Sequence, residues 1–381
     1  MLERARPSPQ PPRAPSTNTR VGVTLRTHQS AQECIIAAPS PAAFQRYQAA
    51  YIDEMQALLA ARPLPIYDMI RYHLGWQEAN GQPRHAGGGK GMRPALCLLT
   101  ADALDGSPGA RARALPGAAA VEFVHNYSLV HDDIQDGDEQ RHHRPTVWVQ
   151  WSVGQGINVG DALRELAQLA LRRAHAAGAD AETVLMAMDA LTHAGLEMIE
   201  GQYLDLTFEQ RTEVALSEYL DMIERKTGAM IGCSLQIGAL LATGDQAQAE
   251  GLRRAGRRLG LLFQIRDDYL GIWGDSARTG KPSDNDIRRR KKSLPVVYTF
   301  ANATAPDRTA LERAYSQREL SQADVATVMR IAAETNAAEA TIRLAHQQYD
   351  AFLTELEGCR VPAPGRDEFV AVADFLLGRD H

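Results

Sequence analysis

From Pro41 to the end of the chain, apolar residues recur three or four positions apart. The segments FQRYQAAYIDEMQALLAA, ELAQLALRRAHAA and TVLMAMDALTHAGLEMIEGQYLDL show this spacing, which places apolar side chains on one face of an α-helix. No stretch alternates β-branched and polar residues as a strand would, and we find no internal repeat. Glycine and proline predict loops at GGGKGMRP, GSPGA, GDSARTGKPSD and VPAPG. The sequence therefore predicts one all-α domain over residues 41–381.

The first 40 residues have a different composition, in which Arg, Pro, Ser and Gln dominate and prolines crowd the stretch PSPQPPRAPS. Prolines break helices and polar residues build no core, so we predict a disordered tail that is able to bind an unknown partner. A transit peptide and a start codon placed too early are the alternatives, since the segment is rich in arginine and poor in acids. We expect no secretory signal, because the segment lacks a sufficiently long apolar core.

The overall charge and the cysteines argue against several classes of protein. The formal net charge is -6, whereas a nucleic-acid-binding domain usually carries a basic face, so we expect no nucleic-acid partner. The four cysteines lie far apart with no C-x-x-C pair, which favours a reducing cytoplasm over a disulfide scaffold or a structural zinc site. No run of about 18 apolar residues is present, so we expect no transmembrane segment.

Two apolar helical segments end in acidic pairs. VEFVHNYSLVH leads into Asp132, Asp133 and Asp136, and GLLFQIRDD ends in Asp267 and Asp268. Residues four apart share a helix face, so Asp132 and Asp136 should repel each other unless a cation such as Mg2+ binds them together with phosphate oxygens. Two such helices facing each other in a bundle would form a cavity with carboxylates at its mouth. The plainer alternative is a solvated helix end, and the apolar segments that precede the acids count against it.

Lysines are rare and occupy particular places. Of 41 Lys and Arg residues only five are lysines: Lys90, Lys226, Lys281, Lys291 and Lys292. They lie in GGGKGMRP, RKTG, TGKP and RRRKKS, which are predicted loops or helix ends. A lysine ammonium is a compact charge that binds a phosphate oxygen without the planar geometry of arginine. The placement indicates diphosphate recognition, although a basic run such as RRRKK is also typical of a solvated surface.

Taken together, the motifs resemble those of the trans-isoprenyl diphosphate synthases, the polyprenyl synthetase family. The matching motifs are GGKGMRP, His125, DDIQD followed by Arg141 and PT, GD at 160–161, GQYLDL, KT, FQIRDD, TGKP, and DI followed by KKSLP. The resemblance covers nearly all of residues 41–381. It implies an isoprenoid-synthase-type helical bundle with a central cavity, normally a homodimer, that condenses isopentenyl diphosphate with an allylic diphosphate and requires Mg2+.

The resemblance also implies roles for individual residues. Asp132, Asp136 and Asp267 would bind Mg2+, and they form the predicted catalytic set together with Lys226 and Lys281. Arg141, Thr227, Gln264, Asp268 and Lys291 would complete the binding site for the allylic diphosphate. Lys90, Arg93 and His125, with His142, would bind isopentenyl diphosphate. A buried histidine on an apolar helix is more often a core residue, so for His125 the offset of seven residues from Asp132 is what favours a role in the site.

The sequence departs from the family pattern at two positions. The family usually has a second arginine where this chain has His142. A histidine is charged only below its pKa of about 6.5, unless a bound phosphate raises that pKa. The second acidic motif usually reads DDxxD, whereas here Gly271 stands where its last aspartate belongs. Asp275 is a candidate replacement if the helix continues. Full Mg2+ occupancy at the second acidic motif is therefore an open question.

The length of the product should depend on the residues one turn before Asp132. Ser128 is small and leaves space for a growing chain, whereas Tyr127 could form part of a floor. An aromatic residue five before the motif, a small residue four before it and no insertion within it resemble synthases that stop near C20. We therefore predict geranylgeranyl diphosphate as product and farnesyl diphosphate as the alternative. Tyr127 as an ordinary core residue is the simpler explanation.

Three other functions are compatible with part of the pattern. A non-catalytic subunit of a heteromeric prenyl synthase would explain Gly271 and His142, but the retained aspartates and lysines count against it. A metal phosphohydrolase would use the pair His131-Asp132 and would leave TGKP and GGGKGMRP without a role. A terpene cyclase should carry an N-S-E-type second metal motif, and we find none in the sequence.

Overall fold

A computed structural model describes residues 41–84, 91–274 and 284–379. These ranges are helical almost throughout, which confirms the predicted all-α class. None of the helices within them combines the length and apolar character needed to cross a membrane. The predicted tail 1–40 lies outside the described residues, and so do Lys90, Asp275 and Lys281.

The helices of the described ranges follow one another with short connections. They are α1 (Ala42–Arg46), α2 (Gln48–Leu59), α3 (Pro65–His73), α4 (Met92–Leu104), α5 (Pro108–Gln135), α6 (Val147–Gln150), α7 (Val153–Ala176), α8 (Ala181–Glu209), α9 (Leu216–Ile223), α10 (Ala229–Thr243), α11 (Gln246–Trp273), α12 (Asn285–Arg288), α13 (Leu294–Asn302), α14 (Ala305–Ser316), α15 (Gln322–Glu334), α16 (Ala337–Gly358) and α17 (Ala363–Gly378). A π-helical turn, Glu224–Gly228, joins α9 to α10.

A short hairpin follows α5. Its strands β1 (Gln140–Arg141) and β2 (Arg144–Pro145) pair antiparallel, and His142 and His143 form the turn with φ of 51° and 60°. The sequence predicts no strand here. Strands of two residues show no alternation, and this turn lacks the Asn-Gly or Asp-Gly pair that ordinarily indicates a two-residue hairpin.

Helix α10 forms the centre of the bundle. From Ala229 to Ala242 every residue except Gln236 is buried, and a helix that is apolar on all sides belongs in a core. It packs against α4, α5, α8 and α11, while α5 packs on its other side against α7. A second, smaller apolar cluster joins the end of α11 to helices α12 to α15; it includes Ile272, Ile287 and Phe300. The two acidic motifs therefore lie on helices that contact one common central helix.

Close approach of α10 to α4 depends on Gly238. A Cβ atom built at this position would lie 2.3 Å from the carbonyl oxygen of Cys97, which is a rigid backbone atom. Glycine is therefore required by packing here, and not only tolerated.

We predict that Gly238→Ala destabilises the protein by about 1–3 kcal/mol, because the two helices must separate to admit the methyl group. Gly195→Ala is the matched control: Gly195 lies in α8 and has no atom near its missing Cβ, so alanine should be neutral or stabilise by about 0.5–1 kcal/mol. Urea unfolding measures both. Equal unfolding midpoints for Gly238→Ala and wild type would show that the helices do not pack this closely.

Candidate active site

The two acidic motifs meet at one polar cavity of about 670 Å3. Asp136 lies at the end of α5 and Asp267 lies in the last turns of α11, and both line this cavity. Acidic and basic side chains from other segments complete it: Asp205, Glu209, Arg211, Lys226, Asp286, Arg289, Arg290, Lys291, Lys292 and Glu312. A cavity with both kinds of charge is suited to an anion that carries its own metal ions. We call it the polar cavity.

An apolar pocket of about 340 Å3 adjoins the polar cavity, and Lys226 lines both. Tyr127, Ser128 and Asp132 contribute from α5. The remaining lining residues include Arg93, His125, His131, Met198, Ile199, Tyr203, Leu206, Thr227, Phe263 and Gln264. The structure thus brings the residues predicted to bind a diphosphate next to those predicted to limit chain length. We call this the apolar pocket.

Asp132 and Asp136 carry an electrostatic cost in the protein alone. The pKa of Asp132 is raised to about 6, because burial and, to a smaller extent, the negative charge of Asp136 outweigh the opposing effect of Lys226. Burial also raises the pKa of Asp136. Both carboxylates are therefore held where a nearby positive charge would be favourable.

This donor set fits a hard divalent cation that is shared with a phosphate. In the described part of the chain, no group of three or more His, Cys, Asp or Glu side chains is arranged as a complete metal site. Mg2+ usually takes only one or two carboxylates and fills its other positions with water and phosphate oxygens. Asp132 and Asp136 on one side and Asp267 on the other meet that requirement.

Lys226 is positioned by an irregular turn of helix. It lies in the π-helical turn, a feature that is often found at functional sites, and its Nζ donates to Asp205 Oδ2 at 2.6 Å. Burial lowers the pKa of Lys226, but the carboxylates of Asp205 and Asp132 outweigh it and leave the pKa raised. The turn lies directly on Gly201, where a Cβ atom would be 2.3 Å from the backbone nitrogen of Lys226.

Asp205 was not predicted as a site residue. It lies in the motif GQYLDL, which also contains Gly201. A search for acids four residues after a helical glycine would have pointed to it, but its contact with Lys226 depends on how α8 crosses the π-helical turn.

Asp268 differs from its neighbour Asp267. Asp268 is buried, and its carboxylate accepts hydrogen bonds from Gln264 Nε2 at 3.0 Å, from the backbone nitrogen of Leu294 at 3.0 Å and from the hydroxyl of Tyr219. Gln264 in turn accepts from the Thr227 hydroxyl at 2.9 Å. Burial raises the pKa of Asp268 to about 6. Asp268 therefore connects α11 to Thr227 and α13.

Asp267 is exposed and reaches the cavity. Its Oδ1 lies 3.3 Å from Nη2 of Arg379, a buried arginine just after α17 that sequence reasoning missed. Lys291 lines the same cavity; burial lowers its pKa, but the carboxylates of Asp268 and Asp286 outweigh burial and leave it raised. Lys291 is therefore a cation at neutral pH.

The acidic pair on α5 shows the same division. Asp133 is buried, and its Oδ1 accepts a hydrogen bond from Arg141 Nε at 2.8 Å and forms an ion pair with Nη2 at 2.7 Å, whereas Asp132 lines the apolar pocket. This contact ties the hairpin to the end of α5. Arg141, which was predicted on the side of the allylic diphosphate, is paired with Asp133 and lines neither the polar cavity nor the apolar pocket.

The residues predicted to bind isopentenyl diphosphate are only partly brought together. Arg93 and His125 line the apolar pocket, and within the described part of the chain the buried Nε of Arg93 has no hydrogen-bond partner. Burial, with a further contribution from Arg93, lowers the pKa of His125 well below its usual value, so His125 is neutral at pH 7. His142 lies exposed in the hairpin turn, and Lys90 lies outside the described residues.

The chain matches the sequence pattern of the family described as Polyprenyl synthetase over residues 79–332. It is 45% identical to the (2E,6E)-farnesyl diphosphate synthase of Mycobacterium tuberculosis over 63% of this chain and 65% of that protein, which is slightly less than two thirds of the relative's length. It is 41% identical to the geranylgeranyl diphosphate synthase of the same species over 70% and 74% of the two chains. A polyprenyl synthetase crystal structure from Streptomyces coelicolor A3(2) superimposes with a TM-score of 0.81 at 38% identity, covering 88% of this chain and 98% of that one.

We predict that Asp132→Asn stabilises the metal-free protein at pH 7.5 by about 1–2 kcal/mol, because the wild-type carboxylate is ionised there despite its raised pKa. For an acid whose pKa is higher in the folded state, stability falls as pH rises from the unfolded pKa to the folded value of about 6. The difference between variant and wild type should therefore shrink as pH falls toward 4.

Urea unfolding at pH 5 and pH 7.5 measures this difference. Addition of Mg2+ with inorganic pyrophosphate should stabilise wild type more than the variant, because only wild type has the complete carboxylate pair. A variant that is less stable than wild type at pH 7.5 without metal would contradict the electrostatic account.

Proposed function

The chain belongs to the polyprenyl synthetase family, and on this basis we propose that it is a short-chain trans-isoprenyl diphosphate synthase. It would condense isopentenyl diphosphate with an allylic diphosphate. The observation that carries the proposal is the polar cavity, which is lined by Asp136 from the end of α5 and by Asp267 from α11. Lys226 lines both this cavity and the adjoining apolar pocket. Such a site can bind a diphosphate at one end and a hydrocarbon chain at the other.

The reaction begins with heterolysis of the carbon–oxygen bond of the allylic diphosphate, and the diphosphate leaves with the electron pair. The double bond of isopentenyl diphosphate captures the allylic cation, and the released diphosphate can accept the proton that is then lost. Negative charge grows on the leaving oxygens, so groups that bind those oxygens lower the barrier. Lys226, Lys281 and Lys291 would bind them, and the apolar pocket would exclude water from the cation.

We propose Mg2+ as the cofactor. The family uses divalent metal ions, and a bound Mg2+ would supply charge neutralisation of the leaving diphosphate. Asp132 and Asp136 would hold metal on one side of the cavity and Asp267 on the other. Thr227 and Gln264 would orient the allylic diphosphate, and Asp268 would position Gln264. Arg141 would act from the hairpin at the end of α5.

For isopentenyl diphosphate we propose Lys90, Arg93 and His125, with His142. The unpartnered Nε of Arg93 supports this placement, since a buried guanidinium nitrogen requires an acceptor that the described protein residues do not supply. Because His125 is neutral, it would donate one hydrogen bond rather than a full charge.

Geranylgeranyl diphosphate is the proposed product. Tyr127 and Ser128 line the apolar pocket, and the ring of Tyr127 packs edge-on against His131 with centroids 5.0 Å apart. His131 itself rests on Gly160, where any Cβ atom would meet its ring. Farnesyl diphosphate is the second candidate, favoured by the higher identity to the mycobacterial farnesyl diphosphate synthase.

We propose that the protein is a homodimer. In the described part of the chain, the most exposed large apolar side chains lie, apart from Leu64, on three consecutive helices: Val149 on α6; Val153, Ile157 and Leu169 on α7; and Leu185, Leu196, Ile199 and Tyr203 on α8. Exposed apolar surface of this kind marks protein interfaces. Light scattering on the purified protein measures the mass in solution.

The deciding experiment supplies purified full chain with labelled isopentenyl diphosphate, Mg2+ and one allylic primer of five, ten or fifteen carbons. We expect hydrocarbon-soluble products of one defined length, and chelation of the metal should abolish them. Release of free phosphate without elongation would identify a hydrolase instead. No product until a second prenyl synthase subunit is added would identify a non-catalytic subunit.

We predict that Ser128→Phe shortens the product by at least one isoprene unit, because the ring fills the pocket about 6 Å below Asp132 at a rise of about 1.5 Å per residue. Tyr127→Ala should lengthen it. Leu64→Ala is the control, since Leu64 is exposed, lies outside the proposed dimer surface and does not line the pocket. Chromatography of the dephosphorylated products measures chain length, and an unchanged length in both variants would make Tyr127 an ordinary core residue.

A further inference from the structure

Gly271 stands where the family motif has its last aspartate, and the space beside it is already occupied. Gly271 lies four residues after Asp267 on α11, so the two share a helix face, and both line the polar cavity. A Cβ atom built at Gly271 would lie 2.4 Å from Asp286 Oδ2, 2.7 Å from its Cγ and 3.1 Å from its Oδ1. The carboxylate of Asp286 therefore fills the volume into which a side chain at 271 would extend.

Packing on both sides holds Asp286 in this place. The next residue, Ile287, is completely buried in the smaller apolar cluster together with Ile272 of α11. On the other side, the backbone nitrogen of Asp284 donates to the carbonyl of Ile272 at 3.2 Å. The carbonyl of Asp286 also accepts from the backbone nitrogen of Lys291 at 2.9 Å, which links it to a cation of the cavity. Helix α12 is thus anchored on α11 with Asp286 directed at Gly271.

We infer that Asp286 supplies, from a separate segment, the carboxylate that position 271 lacks, and that Gly271 is required because it leaves room for it. Asp267 and Asp286 together then hold the divalent cation on the α11 side of the polar cavity. This inference rests on the proposed function. It gives the second acidic motif two carboxylates that reach the cavity, and so it removes the main reason to regard the chain as a non-catalytic subunit.

Gly271→Asp restores the DDxxD motif of the family in the sequence, yet it places a new carboxylate in the space that the Asp286 carboxylate already occupies. The added side chain must displace Asp286, so the substitution should weaken metal binding and not strengthen it. Gly271→Ala isolates the steric part, since a methyl group alone meets the Asp286 carboxylate and adds no charge.

The test measures binding of Mn2+, a paramagnetic substitute for Mg2+, to the full chain in the presence of inorganic pyrophosphate, by electron paramagnetic resonance. Asp286→Asn keeps the size of the side chain and should lower Mn2+ affinity by about 10-fold or more, a range typical for loss of a group that supports a metal site. Asp284→Asn is the matched control: Asp284 pairs with Arg288 and does not line the cavity, so affinity should be unchanged.

A double-mutant cycle tests whether the two positions share one space. Gly271→Ala should lower Mn2+ affinity severalfold in the wild-type background and have no further effect in the Asp286→Asn background, because the displaced carboxylate is then already absent. Thermal unfolding of each variant verifies that the fold is intact.

The inference is overturned if Asp286→Asn binds Mn2+ as tightly as wild type, if Gly271→Ala acts equally in both backgrounds, or if Gly271→Asp raises affinity. Failure of the proposed function gives a different result, namely a wild-type protein that binds no Mn2+ with pyrophosphate and elongates no primer. Tight wild-type binding with an unaffected Asp286→Asn variant would refute only the role of Asp286.

Discussion

Partial burial of carboxylates at the end of a helical bundle, close to other negative charges, is the constraint on which this molecule depends. Burial raises the pKa values of Asp132 and Asp136, the negative charge of Asp205 raises both further, and α11 brings Asp267 to the polar cavity. A protein keeps such an unfavourable arrangement only where a ligand repays it. Lys226 compensates part of the charge, and the rest is available to metal ions bound with a diphosphate. The unfavourable electrostatic energy of the free protein is relieved when metal ions and a diphosphate bind, and this relief strengthens their binding.

Small residues let the helices come close enough to create this arrangement. At Gly201 the backbone of the π-helical turn rests on α8, so Lys226 lies within 2.6 Å of Asp205. At Gly238 the central helix lies directly on α4, and at Gly271 the absence of a side chain admits a carboxylate from another segment. In each case a missing Cβ atom decides which backbone or side chain can approach. The positions of the charged side chains therefore depend on glycines that take no direct part in binding or catalysis.

Much of the architecture could be predicted because it depends on residues that are close together in the sequence. The periodicity of three and four residues specifies the helices, and an offset of four residues places Asp132 and Asp136 on one face. Asp205 and Asp286 could not be assigned in this way, because their roles follow from how α8 crosses the π-helical turn and how α12 packs on α11. The hairpin was not predicted because strands of two residues are too short to show a periodic pattern. The roles of Lys90 and Lys281 remain predictions from sequence alone.

The structure also accounts for why the acids come as adjacent pairs. Successive residues on a helix point about 100° apart, so two neighbouring aspartates cannot face the same cavity equally. Asp133 and Asp268 turn inward, where Arg141 pairs with Oδ1 of Asp133 and where Tyr219, Gln264 and Leu294 donate hydrogen bonds to Asp268. Asp132 and Asp267 turn toward the two pockets. In each pair one carboxylate holds the end of its helix against a neighbouring segment. The other carboxylate is thereby kept at a fixed position, as binding of a metal ion and a diphosphate requires.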